Sequence, residues 1–197
     1  MKSIRLLNTE QHPFEPFLPA GTKVLMLGSF PPARSRWSID FYYPNIQNDL
    51  WRIMGLIFEG DKNHFICPNE KRFNKNRIIT FLNDRGIALS DTAKSVIRLK
   101  ENASDKFLEV VEPMDLKAQL LEIPDCRTVV ATGQKAAALF CSGLNIAEPK
   151  TGQYSSFRFE ARAMRFYRMP SSSRAYPKAL EEKAAVYECM FREIGIL

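Results

Sequence analysis

Histidine is scarce in this 197-residue sequence, which holds only His12 and His64. Neither falls in a nucleophile motif, so a Ser-His-Asp triad is not expected despite the many serines. The four cysteines, Cys67, Cys126, Cys141 and Cys189, have no Cys-x-x-Cys spacing. That excludes the zinc-ribbon and iron–sulfur patterns and fits reduced thiols in a cytoplasmic protein. There is no convincing ligand set for metal-assisted hydrolysis, and neither a metal nor another cofactor is expected. No apolar run approaches the roughly 20 residues that cross a bilayer, and Met1 to Glu10 lacks the apolar core of a signal peptide. A membrane partner is not expected. No glycine-rich loop leads into Gly-Lys-Ser/Thr, so a nucleotide P-loop is absent as well.

What is present is enough apolar material, 45% of the residues, for one globular domain over residues 1–197 without metal or disulfide staples. The net charge of +6 is unevenly spread. Lys150, Arg158, Arg162, Arg165, Arg168, Arg174 and Lys178 face a single acid, Glu160, over one stretch, whereas acids dominate from Glu101 to Asp125. A basic face opposite an acidic one suits a polyanion partner. Accidental clustering on a solvated surface gives the same pattern, and charge alone does not decide between them.

Four segments have the character of buried strands: Lys23 to Leu27, Gly86 to Ser90, Arg127 to Thr132 and Met164 to Met169. Phe157, Phe159 and Ala161 alternate with charged residues just before the last, which predicts an edge strand or hairpin arm. Helical spacing links Leu50, Ile53, Met54, Ile57 and Phe58, with Asn48 placed to cap the start. Further helices are predicted over Arg72 to Asp84, Asp115 to Leu121, Gln134 to Phe140, and from Pro177 onward, where Leu180, Ala184, Tyr187, Phe191 and Ile194 form the buried stripe. Strands alternating with helices imply a mostly parallel sheet covered on both faces. Ligands of such sheets lie beyond the carboxyl ends of the strands. That places Ser29 to Arg34, Ser90 to Lys94, Gly133 and Ser171 to Tyr176 around one cleft.

Two of these strands stop in short loops, Gly28-Ser29-Phe30-Pro31-Pro32 and Met169-Pro170-Ser171-Ser172-Ser173-Arg174. The first can be read simply as a proline-rich turn. The second offers hydroxyls, backbone N–H groups and a guanidinium for a phosphate, or simply caps the final helix. Between them, Tyr42-Tyr43-Pro44-Asn45-Ile46-Gln47-Asn48-Asp49-Leu50-Trp51 supplies aromatic faces and carboxamides. Together with Gly86-Ile87-Ala88-Leu89-x-Asp91 and Gly133-x-Lys135-Ala136-x-x-Leu139-Phe140, these motifs resemble, in order over nearly the whole chain, the uracil-DNA glycosylase superfamily. They are most similar to its hypoxanthine-DNA and mismatch-specific (G:T/U) glycosylase branch.

The resemblance implies a three-layer α/β/α sandwich with a mostly parallel four-stranded central sheet. It implies a monofunctional DNA glycosylase of base excision repair, acting as a monomer on duplex DNA with a damaged or mismatched base. Such an enzyme hydrolyses the N-glycosidic bond of a flipped hypoxanthine, uracil or G:T/U-type base and leaves an abasic site. The first-loop Asp or Asn that orients water in many members is Phe30 here, and the second-loop His of uracil-removing members is Met169. The implied catalytic carboxamides are therefore Asn45 and Asn48, although Asn48 also reads as a helix cap. Base binding is implied for Ser29, Phe30, Tyr42 or Tyr43, and Asp91, the last being equally suited to capping. DNA contacts are implied for Pro31, Arg34, Lys135, Ser171, Ser172, Ser173, Arg174 and Tyr176. The alternative on the same fold is a non-catalytic reader of damaged DNA, motivated by the apolar Phe30 and Met169. A free-nucleoside hydrolase is disfavoured by the basic stretch around the serine loop.

Overall fold

A computed structural model describes residues 9–99 and 107–197. The start of the acidic stretch, from Glu101 to Lys106, and most of the N-terminal stretch read for a signal peptide lie outside the described residues. Strands run over Thr9–Gln11 (β1), Val24–Gly28 (β2), Ile87–Asp91 (β3), Ala93–Arg98 (β4), Leu108–Pro113 (β5), Thr128–Ala131 (β6), Gln153–Phe159 (β7) and Arg162–Arg168 (β8). The α-helices are Leu50–Glu59 (α1), Lys75–Arg85 (α2), Leu116–Glu122 (α3), Gln134–Leu144 (α4) and Leu180–Glu193 (α5).

The central sheet has the order β3-β2-β6-β8-β7. Its first four strands are mutually parallel and are the four expected ones. A fifth, β7, joins β8 as an antiparallel edge, so the sheet has five strands rather than four. The extra strand is the hairpin arm whose alternating pattern was visible around Phe157 and Phe159.

Alternate residues of each parallel strand face opposite layers, as the strand period requires. Val24 and Met26 of β2, Ile87 and Leu89 of β3, Val130 and Tyr167 pack against α1, α2 and α5. Leu25, Leu27, Ala88, Val129, Ala131 and Phe166 pack against α3 and α4. Both faces are covered, giving the three-layer sandwich and explaining why these strands read as unbroken apolar runs.

Helix starts depart from the simple pattern where polar side chains take over. α2 begins at Lys75 rather than Arg72, because Asn74 Oδ1 accepts from the Arg77 N–H at 3.0 Å and fixes the first turn. α5 begins at Leu180, after Pro177, with Glu182 reaching back to the Ala179 N–H at 3.0 Å.

A second, three-stranded antiparallel sheet, β1-β4-β5, was not foreseen. It flanks the carboxyl end of β3, with a small core of Phe30, Ala93, Val96 and Leu108. This sheet fixes the first loop: the Thr92 and Ala93 N–H groups donate to the carbonyls of Gly28 and Ser29 at 2.9 and 3.2 Å.

Phe166 is fully buried and stacks on Phe140 at a centroid distance of 4.5 Å. Phe166→Ala is expected to cost about 3–5 kcal/mol of unfolding free energy, read from urea denaturation, because the rigid sheet cannot collapse into the hole.

Candidate active site

The carboxyl ends of β2, β3, β6 and β8 open into one cleft of about 970 Å³. Ser29, Phe30 and Pro31 line one wall, and Ser171, Ser172, Ser173, Arg174 and Tyr176 line the opposite one. Tyr43, Asn45, Asn48, Asp91 and Lys135 complete the lining. Two of the residues predicted for the site lie elsewhere. Tyr42 is buried behind the cleft, with its hydroxyl donating to the Glu15 carbonyl at 3.1 Å and its ring against Phe14. It is a core residue, which leaves Tyr43 as the aromatic at the cleft. Arg34 is exposed beyond the rim, paired with Asp40 at 3.4 Å and stacked over Trp37; Arg36 lines the cleft instead.

The floor is built by close approach. Gly28 ends β2, and a Cβ there would overlap Asp91 Oδ1 and stand 3.2 Å from the Tyr43 hydroxyl. Only glycine leaves room for both groups against the backbone. Thr132 Oγ1 donates to the Leu27 carbonyl at 3.2 Å, so the Tyr43 hydroxyl donates to Thr132 Oγ1 at 2.8 Å. Burial, followed by the Asp91 charge, pushes the Tyr43 phenol well above its usual value, so it is neutral. Tyr43 itself holds a left-handed backbone, φ 50°, which an ordinary residue adopts only when its surroundings impose it.

Both candidate carboxamides are anchored locally. Asn45 Oδ1 accepts from the Gln47 N–H and Asn48 Oδ1 from the Leu50 N–H, each at 2.9 Å. The N-cap of α1 is Asp49 rather than the expected Asn48, which instead binds the N–H of the helix's first residue and lines the cleft, with its NH₂ group outside that bond. Phe30 and Met169 contribute apolar lining at 8% and 1% exposure. Neither can polarise a water or a base. Burial pushes the Cys126 and Cys141 thiols up to about 11, so neither is an activated nucleophile. Among the described residues no group of His, Cys, Asp and Glu is arranged to hold a metal ion, and no helix is long and apolar enough to cross a membrane.

The serine wall is held from below by a residue that the sequence reading passed over. Lys183 of α5 is fully buried, and its Nζ reaches Asp49 Oδ2 at 3.0 Å and the Ser173 carbonyl at 2.8 Å. Asp49 also accepts from Arg174 Nε at 3.3 Å, and its N–H donates to the Ser172 carbonyl at 2.8 Å. Tyr187, one turn further along α5, donates to the Pro170 carbonyl at 2.9 Å. The start of α1, the serine loop and α5 therefore share one buried junction. The signal was available, because Lys183 stands four residues before Tyr187 on the apolar stripe of α5, where a charge needs a partner.

His12 is the second residue missed. It comes from the segment between β1 and β2, and its Nε2 lies 2.9 Å from Asp91 Oδ2. Burial pulls its pKa down, but the hydrogen bond and charge of Asp91 outweigh that, leaving it above 6.5. No spacing rule joins two residues 79 positions apart.

Lys183→Ala strands the Asp49 carboxylate, since the remaining partner, Arg174, is half exposed. Its expected cost is about 3–5 kcal/mol in urea unfolding. The double variant Asp49→Leu, Lys183→Met should recover much of that loss, and failure to recover any would mean that packing of the lysine stem dominates. For His12, a folded-state pKa above the unfolded value means that the pair's stabilisation is complete below about pH 6.5 and is lost as pH rises through the raised value. Asp91→Asn should flatten that slope in unfolding free energy measured across the same range.

No protein-family model matches the sequence, and no curated protein matches it. Among solved structures, it is similar to the solution NMR structure of a protein from Methanosarcina acetivorans named "putative Uracil DNA glycosylase". The two are 22% identical, superpose with a TM-score of 0.62, and align over 95% of this chain and 99% of the other. This chain therefore shares the fold of that protein over nearly its whole length.

Proposed function

We propose that the protein is a monofunctional DNA glycosylase that removes a flipped deaminated or mismatched base, of hypoxanthine, uracil or G:T/U type, and leaves an abasic site. The observation that carries the reading is the meeting of three segments in one cleft. These are the Gly28–Pro32 loop, the Tyr43–Asn48 segment and the Ser171–Tyr176 loop. The cleft, about 970 Å³, falls in the ordinary range for a small-ligand site. The basic rim of Arg36, Lys135, Arg168 and Arg174 suits a polyanion.

The chemistry asks little of any single side chain. The C1′–N bond breaks with its electron pair leaving on the base, while a water oxygen bonds to C1′ and a water proton ends on the base. Positive charge grows on the sugar and negative charge on the base, so catalysis consists of extruding the base, holding a water in line and stabilising separated charge. In this reading Tyr43 provides the aromatic wall, where stacking contributes about 1–3 kcal/mol. Asn45 and Asn48 hold the water or the base edge through carboxamides whose orientation their own backbone contacts fix. Ser171, Ser172 and Ser173 hold phosphate, and Arg174 or Tyr176 fills the gap left in the stack. Duplex DNA is the substrate, and the enzyme works as a monomer without a cofactor.

A non-catalytic reader of damaged DNA is the second reading, supported by the apolar Phe30 and Met169 at the cleft and by the engaged oxygens of both asparagines. One experiment separates the two: incubation of duplexes bearing hypoxanthine, uracil, xanthine or a G·T mismatch with excess protein, followed by alkaline cleavage. Strand scission is expected on at least one duplex. Salt-sensitive binding with no scission on any of them would establish the reader instead. Asn45→Ala or Asn48→Ala should slow base release by about 10²-fold, the scale of one preorganised donor. Unchanged rates in both variants would remove the carboxamides from the mechanism.

A further inference from the structure

His12 and Asp91 meet behind the cleft with side chains only 2% and 7% exposed. His12 Nε2 is 2.9 Å from Asp91 Oδ2, and Nδ1 is 2.8 Å from the Phe14 carbonyl oxygen. The Phe14 N–H also donates to Nδ1, at 3.2 Å. Nε2 therefore donates to the Asp91 carboxylate in either protonation state, while Nδ1 either accepts from the Phe14 N–H or donates to the Phe14 carbonyl. The buried carboxylate beside the ring favours its protonated form. The Phe30 ring meets the imidazole edge-on at 5.3 Å and belongs to the cleft wall. The other titratable groups around His12 are Glu15 in the same segment and Tyr42 ahead of α1, whose phenol burial keeps neutral. While Oδ2 is taken by His12, Asp91 Oδ1 lies against the Gly28 Cα in the cleft floor.

Resting on the glycosylase reading, we propose that His12 is a positioning residue and counter-charge for base selection: it fixes Asp91 so that Oδ1 accepts a ring N–H of the extruded base, and it cancels the charge that would repel that base as it departs. An ionised carboxylate accepts hydrogen bonds and donates none. Adenine and cytosine present a bare ring nitrogen on their pairing edge, whose lone pair would face the carboxylate. Deamination turns that amidine nitrogen into a lactam N–H, a donor. One fixed acceptor thus separates the class of lactam bases from its amino-bearing parents. The same carboxylate would oppose bond breaking, because negative charge collects on the leaving base. The imidazolium behind it makes the floor neutral, so recognition and departure stop conflicting. As pH rises through the His12 pKa, which the Asp91 contact holds above 6.5, the floor becomes net negative and base release slows.

The test is single-turnover release of hypoxanthine and uracil from duplex DNA between about pH 5 and 9, by the native protein, His12→Asn and His12→Ala. The native rate should fall above the His12 pKa measured by NMR. His12→Asn, which still donates to Asp91 but does not titrate, should show no such fall. His12→Ala should lose about 10- to 100-fold in rate, the scale of a charged hydrogen bond, while binding an abasic duplex as the native protein does. Asp91→Asn, nearly isosteric and able to donate, should lower the preference for hypoxanthine over adenine. Release of base with identical pH profiles for the native protein and His12→Asn, or a native rate in His12→Ala, overturns this inference alone. No release from any lactam duplex overturns the glycosylase reading and this inference together.

Discussion

The cleft depends on one buried charge pair. Asp49 and Lys183 are both withdrawn from water, at 6% and 0% exposure, and each compensates the other's desolvation. Their contact is more than a local pairing. Lys183 also binds the Ser173 carbonyl, and the Asp49 N–H binds the Ser172 carbonyl. A serine loop that would otherwise be free at the end of β8 is thereby tied to the first turn of α1 and to α5. Because Asn48 precedes Asp49, the same junction sets where one candidate carboxamide sits relative to the opposite wall. Removing the charges in favour of apolar side chains would preserve packing but release the Ser173 carbonyl, so this pair is better understood as fixing geometry than as adding stability.

The opposite end of the cleft is fixed by steric exclusion instead. Gly28 allows Asp91 Oδ1 and the Tyr43 hydroxyl to crowd against the end of β2, and the antiparallel sheet holds the next residues through Thr92 and Ala93. Phe30 then turns into the small core of that sheet while still facing the cleft. A polar residue at this position would have to be buried among Ala93, Val96 and Leu108. The apolar side chain is therefore explained by what the second sheet needs from the loop, and the chemistry has to be assembled from other groups.

Those parts of the protein governed by local periodicity were legible in the sequence. The four parallel strands, their helices and the cleft at their ends follow from apolar runs, caps and the rule that places ligands beyond the strands. The edge strand or hairpin arm was visible as an alternation around Phe157, yet the strand it pairs with was not, since pairing partners are not written in a strand's own pattern. The antiparallel sheet escaped because β4 follows β3 after one residue, and its Ala93 to Arg98 sequence lacks clean alternation. At the site, Tyr43 and Tyr42 have identical chemistry and adjacent positions. The left-handed backbone of Tyr43 turns one ring toward the cleft and the other into the core, a distinction that composition cannot carry. Asn45 was legible as a carboxamide but not as one whose oxygen is already committed, whereas commitment of the Asn48 oxygen to the helix start was legible from its position before Leu50.

His12 illustrates the deeper limit. A lone histidine in Gln11-His12-Pro13-Phe14 has no motif, and its meaning comes entirely from an aspartate brought to it by the sheet. The placement also bears on how the cleft can work. Between an apolar first loop and an apolar Met169, the carboxylate that lines the cleft among the described residues is Asp91. A carboxylate alone there would bind cations or donors and resist the growth of negative charge in front of it. With His12 protonated behind it, the pair is a neutral dipole whose second oxygen, Oδ1, lies at the cleft floor. Such a floor can discriminate by hydrogen-bond polarity without imposing a net field on whatever leaves. On the proposed glycosylase reading, that is the property a leaving anionic base requires.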